Sequence, residues 1–460
     1  MLFSSQVFIL IFLPTALVLW YLPLLNRRGR LFILLICSLT FYAFWDPRFL
    51  PLLSATIIFN WLISRLYAAQ QHQIWLLGGI LVNLLVLGFF KYLNFLAENF
   101  LGLVGIEHKP IGIVLPLGIS FFTFQQISYL ADLRKGGNAY YSLLDYAAYV
   151  SFFPQLIAGP IVRYHEIIPQ FVREPSRNGT IKMASVGLVL VILGLVKKLF
   201  FADELGVIAD AGFGQVSAGN PISFSESWLA ALAYTFQLYF DFSAYSDMAI
   251  GIGYMFGLQL PQNFNAPYVA LNLSDFWRRW HITLSNFLRD YIYIPLGGSH
   301  GTKLYMCLTV LTTLLLCGLW HGAAWTFIAW GFFHGIGILL FRAWRTTMFA
   351  LPPAVAWLVT FLFVLSGWVL FRAENFDVAQ TFFSAMLTFG DFDIEKNQLQ
   401  DFLLVGILGM VSILGPTNAK LAQSRLIMSK GGAVLGALLL ILISLRAGQP
   451  LQVEFIYFQF

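Results

Sequence analysis

The chain has 460 residues, of which 59% are hydrophobic and 11% charged, with a formal net charge of +5. Ordinary soluble domains carry about 25% charged residues, so this composition excludes an aqueous globular domain and describes a polytopic membrane protein. The positive excess is scattered, with no lysine or arginine run of the kind that binds nucleic acid, which excludes that class of partner.

A spanning helix needs about 20 mostly apolar residues. Taken in chain order, candidate spans lie near 6–25, 31–46, 49–66, 75–94, 111–131, 183–201, 228–257, 304–320, 324–342, 354–371, 402–416 and 431–446. That is about eleven or twelve spans. The first run lacks a basic leader and a small-residue cleavage site, and it reads as a retained helix. Arg27, Arg28 and Arg30, then Arg65, then Arg134 with Lys135 fall in alternate loops, while the loops between them hold only Arg48, Lys91 and Lys109. By the positive-inside rule the N-terminus is expected outside. The same alternation puts 276–298, Arg342 with Arg345, and Lys420 with Arg425 and Lys430 on the cytoplasmic side, and the acidic 203–227 segment outside. Lys197 and Lys198, read as the outer end of the 183–201 span, do not fit it.

Two stretches depart from plain spans. Residues 141–182 include SFFPQLIAGPIVRYHEIIPQF, where Pro154, Gly159 and Pro160 interrupt an apolar run too short to cross. A re-entrant or broken helix is expected there, and with it an internal cavity or funnel, because non-helical backbone at membrane depth needs protein or water around it. The second stretch is 259–303. No internal repeat or linker divides the chain, so residues 1–460 are read as one integral-membrane domain.

Within the span 228–257, a helical wheel puts Tyr234, Gln237, Asp241 and Tyr245 on one stripe and Ser243, Ser246 and Asp247 on the other side. Carboxylates inside a span must face the bundle interior or a wet cavity. They either hold helices together through hydrogen bonds or line a substrate path. In FWRRWHITLSNFLRDYIYIPLGG, residues 276–298, a continuous helix places His281 with Trp277, Leu284 and Leu288, opposite Arg279, Asn286 and Asp290. This is the pattern of an amphipathic interfacial helix, with its aromatic rings at headgroup depth, and a histidine on the apolar face is the unexplained element.

A further histidine stands in CGLWHGAAWTFIAWGFFHG, residues 317–335. If the helix continues through Gly322, His321 shares a face with Trp325, Ile328 and Phe332, and His334 points away. Three sharper patterns fail. GGSHG at 297–301 matches a nucleophile elbow without the strand that motif requires. Cys317, four residues before His321, reads as a core thiol, as do Cys37 and Cys307, which also lie in apolar runs. His321 and His334 lack the further ligands and common face that a metal site needs.

The run LPQNFNAPYVALNLSDFWRRWHITLSNFLRDYIYIPLGG followed by GLWHGAAW closely resembles the membrane-bound O-acyltransferase family, in particular its bacterial alginate and peptidoglycan O-acetylation branch, which also includes the D-alanyl-lipoteichoic acid protein. MLFSSQVFILIFLPTAL, LPLGISFFTFQQISYLADLRKG, FFPQLIAGPIVRY, QLYFDFSAYSDMAIGIG and GWVLFRAENF extend the likeness over most of the chain. The resemblance implies an all-α polytopic fold, with re-entrant and interfacial helices around a central funnel and tunnel. It also implies that His281 and His321 are the family's two histidines, with His321 the catalytic one.

On this reading the donor is cytoplasmic acetyl-CoA, no cofactor is bound, and the protein lies in the bacterial inner membrane among its lipids. The acetyl group passes to an extracytoplasmic polysaccharide through a partner acetyltransferase of the periplasm or cell surface. Peptidoglycan, alginate and cellulose-type exopolysaccharides all remain open as acceptors. A neutral, buried His321 suits removal of a hydroxyl proton near neutral pH. Arg278, Arg279 and Arg289 suit donor phosphates or lipid phosphates alike. Trp320, Trp325, Asp241, Gln237, Asn263 and Asn265 complete the candidates for contacting substrate. The alternative is a transporter for a donor or glycan with no chemistry of its own, although inverted repeats of the transporter kind are not found.

Overall fold

The structure is a computed structural model that describes residues 1–23, 25–136, 140–172, 177–347, 349–388, 396–448 and 455–456. All regular structure among the described residues is helical. Among the described residues, seven helices are long and apolar enough to cross a membrane: Pro47–Gln70, Gln73–Leu103, Gly179–Ser217, Lys303–His321, Trp325–Trp344, Pro353–Arg372 and Lys430–Ala447. Phe8–Trp20 and Gln398–Leu414 are shorter apolar helices. The protein is an all-helical, multi-pass membrane protein.

The remaining expected spans are helices of another kind. Of the span expected at 31–46, residues 31–43 fall in Arg27–Ala43, opened by Asn26, whose side chain accepts from the Gly29 backbone N–H. The expected span at 111–131 begins only at Ile119, because Gly118 takes a left-handed φ of 74° with Leu156 O so close that a Cβ there would lie 2.5 Å from it. Residues 228–257 lie in the 32-residue helix Phe224–Met255, whose buried side chains include Thr235, Gln237, Asp241, Ser243 and Ser246.

The chain forms two compact, interleaved units. The first comprises Met1–Leu193, Tyr245–Gln262 and Ala422–Gly448. Its spans are joined by a buried amide cluster in which Asn60 Nδ2 donates to Asn83 Oδ1 at 3.1 Å and to Gln126 Oε1 at 2.9 Å. Such polar contacts replace the hydrophobic drive that lipid cannot supply between helices. The expected broken helix is here: Leu143–Ser151 stops at Phe152, and Phe153–Leu156 follows as a single turn. Side chains take up the freed backbone groups, with Ser38 Oγ accepting from Phe153 N at 3.2 Å and Gln155 Nε2 donating to Tyr149 O at 2.7 Å.

The second unit comprises Gly194–Ala244, Asn263–Leu421 and Gln449–Phe460. Its core is unusually aromatic, with Trp280, Trp330 and Trp368 each 1% exposed. Lys197 and Lys198 do not end a span. They sit in a π-helical turn, Lys197–Ala202, inside the longer helix Gly179–Ser217, and both are buried. Lys198 Nζ lies 2.7 Å from Asp241 Oδ1 and 2.8 Å from Asp203 Oδ1, while Lys197 Nζ donates to Ser243 Oγ at 3.0 Å. Asp241 on the neighbouring helix and Asp203 further along the lysine's own helix let Lys198 stay at depth, which is why a rule about loop charges does not apply to this pair.

Candidate functional site

Residues 276–290 do not form one helix. Leu273–Arg279 and Ile282–Leu288 are separated at Trp280 and His281, and His281 takes a left-handed φ of 42°. A non-glycine residue in this region is held there by its surroundings. Asn263 supplies the clamp: its Oδ1 accepts from His281 Nδ1 at 3.1 Å, Thr283 N at 3.2 Å and Thr283 Oγ1 at 2.9 Å. Because an amide oxygen only accepts, His281 carries its proton on Nδ1 and turns Nε2 the other way. The break folds Phe276, Trp277 and Trp280 into the protein, where they are at most 9% exposed, which corrects the expectation of aromatic rings at headgroup depth. Leu284 and Leu288 are buried as the wheel expected.

The helix Lys303–His321 likewise ends at His321, with Gly322 extended, and Trp325 opens the next helix. Gly322 is needed because the Phe327 ring lies where its Cβ would be, 2.1 Å away. The two helices also touch backbone to backbone: a Cβ on Gly318 would lie 2.1 Å from Phe327 O, and one on Gly331 2.2 Å from Leu314 O. This interruption corrects two expectations. Trp325 is 54% exposed and does not share a helical face with His321. His334 does not point away, since both histidines pack on Trp330.

The outcome is a file of alternating rings within the second unit. His281 lies 6.1 Å from Trp320 between ring centroids, Trp320 4.9 Å from His321, His321 5.2 Å from Trp330, and Trp330 4.8 Å from His334. His321 is 4% exposed and is held edge-on by Trp330 and by Phe371, at 5.1 Å. Such a pocket excludes water.

A cavity of about 150 Å³ lies beside this file, lined by Leu288, Val310, Leu314, Ile338 and Trp277, with Arg289 and Arg342 also on its wall. Arg289 is bonded to Asp290 at 2.7 Å, and Arg342 donates to the Tyr293 hydroxyl at 3.2 Å. Trp277, on the cavity wall, also meets the rings of Trp330 at 5.9 Å, Phe276 at 6.0 Å and His334 at 5.4 Å.

The remaining candidates are spread out. Asp241 is engaged by Lys198 and by Ile456 N, at 2.8 Å from its Oδ2. Gln237 packs on Gly206, where a Cβ would lie 2.7 Å from its Nε2. Arg279 binds Asp275 at 2.9 Å and the Asn265 carbonyl at 3.3 Å, and Arg278 is exposed. Cys37 and Cys317 are buried, whereas Cys307 is only half-buried. The GGSHG segment is a turn, with Ser299 Oγ 2.9 Å from the Tyr293 hydroxyl. Sequence reasoning missed His334, Trp330 and Phe371, and it used Arg342 only for topology.

The sequence model of the membrane-bound O-acyltransferase family matches residues 119–376, which include all three histidines of the file. A protein named "Probable alginate O-acetylase AlgI" from Azotobacter vinelandii is 45% identical over 424 residues, covering 89% of this chain and 83% of its own. The chain belongs to the membrane-bound O-acyltransferase family. A peptidoglycan O-acetyltransferase from Helicobacter pylori is 42% identical over 416 residues, covering 82% of this chain and 78% of its own. The similarity to a teichoic acid D-alanyltransferase of Bacillus subtilis is lower, 26% over 315 residues, covering 65% of this chain and 78% of its own. As a member of this family the protein is an acyltransferase, and the reading as a transporter without chemistry is set aside.

Proposed function

We propose that this membrane-bound O-acyltransferase takes acetyl from cytoplasmic acetyl-CoA and passes it across the bacterial inner membrane, with its N-terminus outside, for O-acetylation of an extracytoplasmic polysaccharide. Peptidoglycan and exopolysaccharides such as alginate are the acceptor classes, by analogy with the named activities of the relatives. The immediate acceptor is a hydroxyl of a partner acetyltransferase, which then acetylates the glycan.

The observation that carries the reading is His321, a buried imidazole at a helix break, edge-on to Trp330 and Phe371 and one tryptophan from His281. His321 takes the acceptor hydroxyl proton as the oxygen attacks the thioester carbonyl carbon. The C–S bond breaks, and the proton passes to the leaving thiolate, giving an ester and a free thiol. His281, fixed by Asn263 and with its ring 6.1 Å from that of Trp320, helps to hold the reacting groups. Arg289 and Arg342, on the cytoplasmic side by the charge alternation, suit donor phosphates, and the apolar walls between them and Trp277 suit the donor's chain.

The test is transfer of radiolabelled acetyl from acetyl-CoA by the purified full chain reconstituted with a candidate partner acetyltransferase. His321→Ala is expected to fold and to lose transfer. Unchanged turnover in that variant would remove His321 from the chemistry.

A further inference from the structure

His334 is the least explained polar side chain in the second unit. It is 0% exposed, and neither Nδ1 nor Nε2 has a hydrogen-bond partner among the described residues. A neutral imidazole carries one donor and one acceptor nitrogen, and leaving both unmet in a dry core costs stability that a phenyl ring of similar size would not. Packing does not ask for a histidine here. The neighbours are Trp330 at 4.8 Å, Trp277 at 5.4 Å, Phe363 at 5.5 Å and Phe276 at 6.3 Å between ring centroids.

Other unmet donors stand beside it, among them the indole N–H groups of Trp277 and Trp330, which also lack partners among the described residues. His334 Nε2 and Trp330 Nε1 converge on Gly367, where a Cβ would lie 2.8 Å from the first and 3.5 Å from the second. Trp330 touches both His334 and His321, and Trp277, on the other side of His334, lines the arginine-walled cavity. Ile338, one turn along the same helix from His334, lines that cavity. The unmet groups therefore lie between the cavity and the histidine proposed to do the chemistry.

We propose that His334, with the indole N–H groups of Trp277 and Trp330, forms a subsite that hydrogen-bonds the amide-bearing arm of the acyl donor on its way from the cavity to His321. The inference rests on the proposed function for the identity of the donor. An amide offers one N–H and one carbonyl oxygen. A neutral imidazole can accept the first, an indole can donate to the second, and the surrounding rings cover the methylenes between amides. The polarity of His334 is thus spent on the substrate and not on the fold.

The experiment compares His334→Phe, His334→Gln, His321→Ala and the unaltered full chain with two donors: S-acetylpantetheine, which has the amides, and S-acetyl-2-mercaptoethanol, which has none. His334→Phe is expected to keep or raise the thermal midpoint and to raise KM for S-acetylpantetheine about tenfold or more, while turnover of the amide-free thioester stays within about twofold. His334→Gln, which keeps a donor and an acceptor, recovers part of the loss, and it carries the test if the phenylalanine variant fails to fold. An unchanged KM for S-acetylpantetheine, or an equal loss with both donors, overturns the subsite. Turnover surviving in His321→Ala overturns the catalytic reading instead, so the two failures are told apart.

Discussion

Two buried polar clusters in the second unit treat their polar atoms in opposite ways. In the lysine cluster the ammonium of Lys198 has carboxylates of Asp203 and Asp241 at 2.8 and 2.7 Å, and the other oxygen of Asp241 accepts from Ile456 N. In the histidine file and at Trp277 beside it, the indoles of Trp277 and Trp330 and both nitrogens of His334 have no hydrogen-bond partner among the described residues. A buried charge persists only when paired, so the first cluster is accounted for by folding. The unmet groups of the second lower stability and offer hydrogen bonds to something that comes and goes, which is the arrangement a substrate path requires.

This contrast can be broken from either side. The largest effect is expected from His321→Ala, which should cut acetyl transfer by about a hundredfold or more, the low end of what a general base contributes, with little change in thermal midpoint. Lys198→Met should do the reverse, destabilising by about 3–5 kcal/mol because two carboxylates are left buried without their cation. It is read as a drop in thermal midpoint, and activity per folded molecule is expected to survive. Asp241→Asn leaves Asp203 on Lys198 and should show a milder form of that result. If it abolished transfer without a stability loss, Asp241 would belong to the substrate path and the contrast between the clusters would fail.

Smaller effects sharpen the edges. Asn263→Ala removes the acceptor of three hydrogen bonds around His281 and should cost about 1–3 kcal/mol, seen in chemical denaturation in detergent, with a lower kcat because the left-handed turn at His281 loses its clamp. Arg342→Gln and Arg289→Gln should each raise the acetyl-CoA KM by a few-fold, with kcat unchanged and the effect shrinking at high salt. Arg278→Gln should leave both parameters where they were, since Arg278 is exposed and lies outside the arginine-walled cavity.

Much of this protein was legible before any coordinates. Apolar runs of spanning length and scattered charge imply a multi-pass helical protein, because lipid leaves the backbone few other ways to meet its hydrogen bonds. Pro154, Gly159 and Pro160 marked the broken helix, and RRWHITLS and LWHG singled out His281 and His321. His334 was misread for a definite reason. The helical wheel is carried through Gly322, which permits a stop without requiring one, because Ala323 and Ala324 after it are strong helix formers. Residue 322 must be glycine because the ring of Phe327, five residues ahead in the next helix, lies where its Cβ would be.

The same division holds for the rest of the site. Residue type and hydropathy by themselves determined that the chain is a membrane protein, that its fold is helical, and that histidines and tryptophans cluster where chemistry is expected. Only tertiary structure decided that His281 leaves the helix in a left-handed turn held by Asn263, that Lys198 is neutralised by Asp203 and Asp241, and that His321 and His334 meet the same tryptophan. Periodicity reports which side of a helix a residue occupies only while that helix continues. Where it stops is settled by side chains from other elements, and in this chain the stops at residues 280–281 and 322–324 build the site.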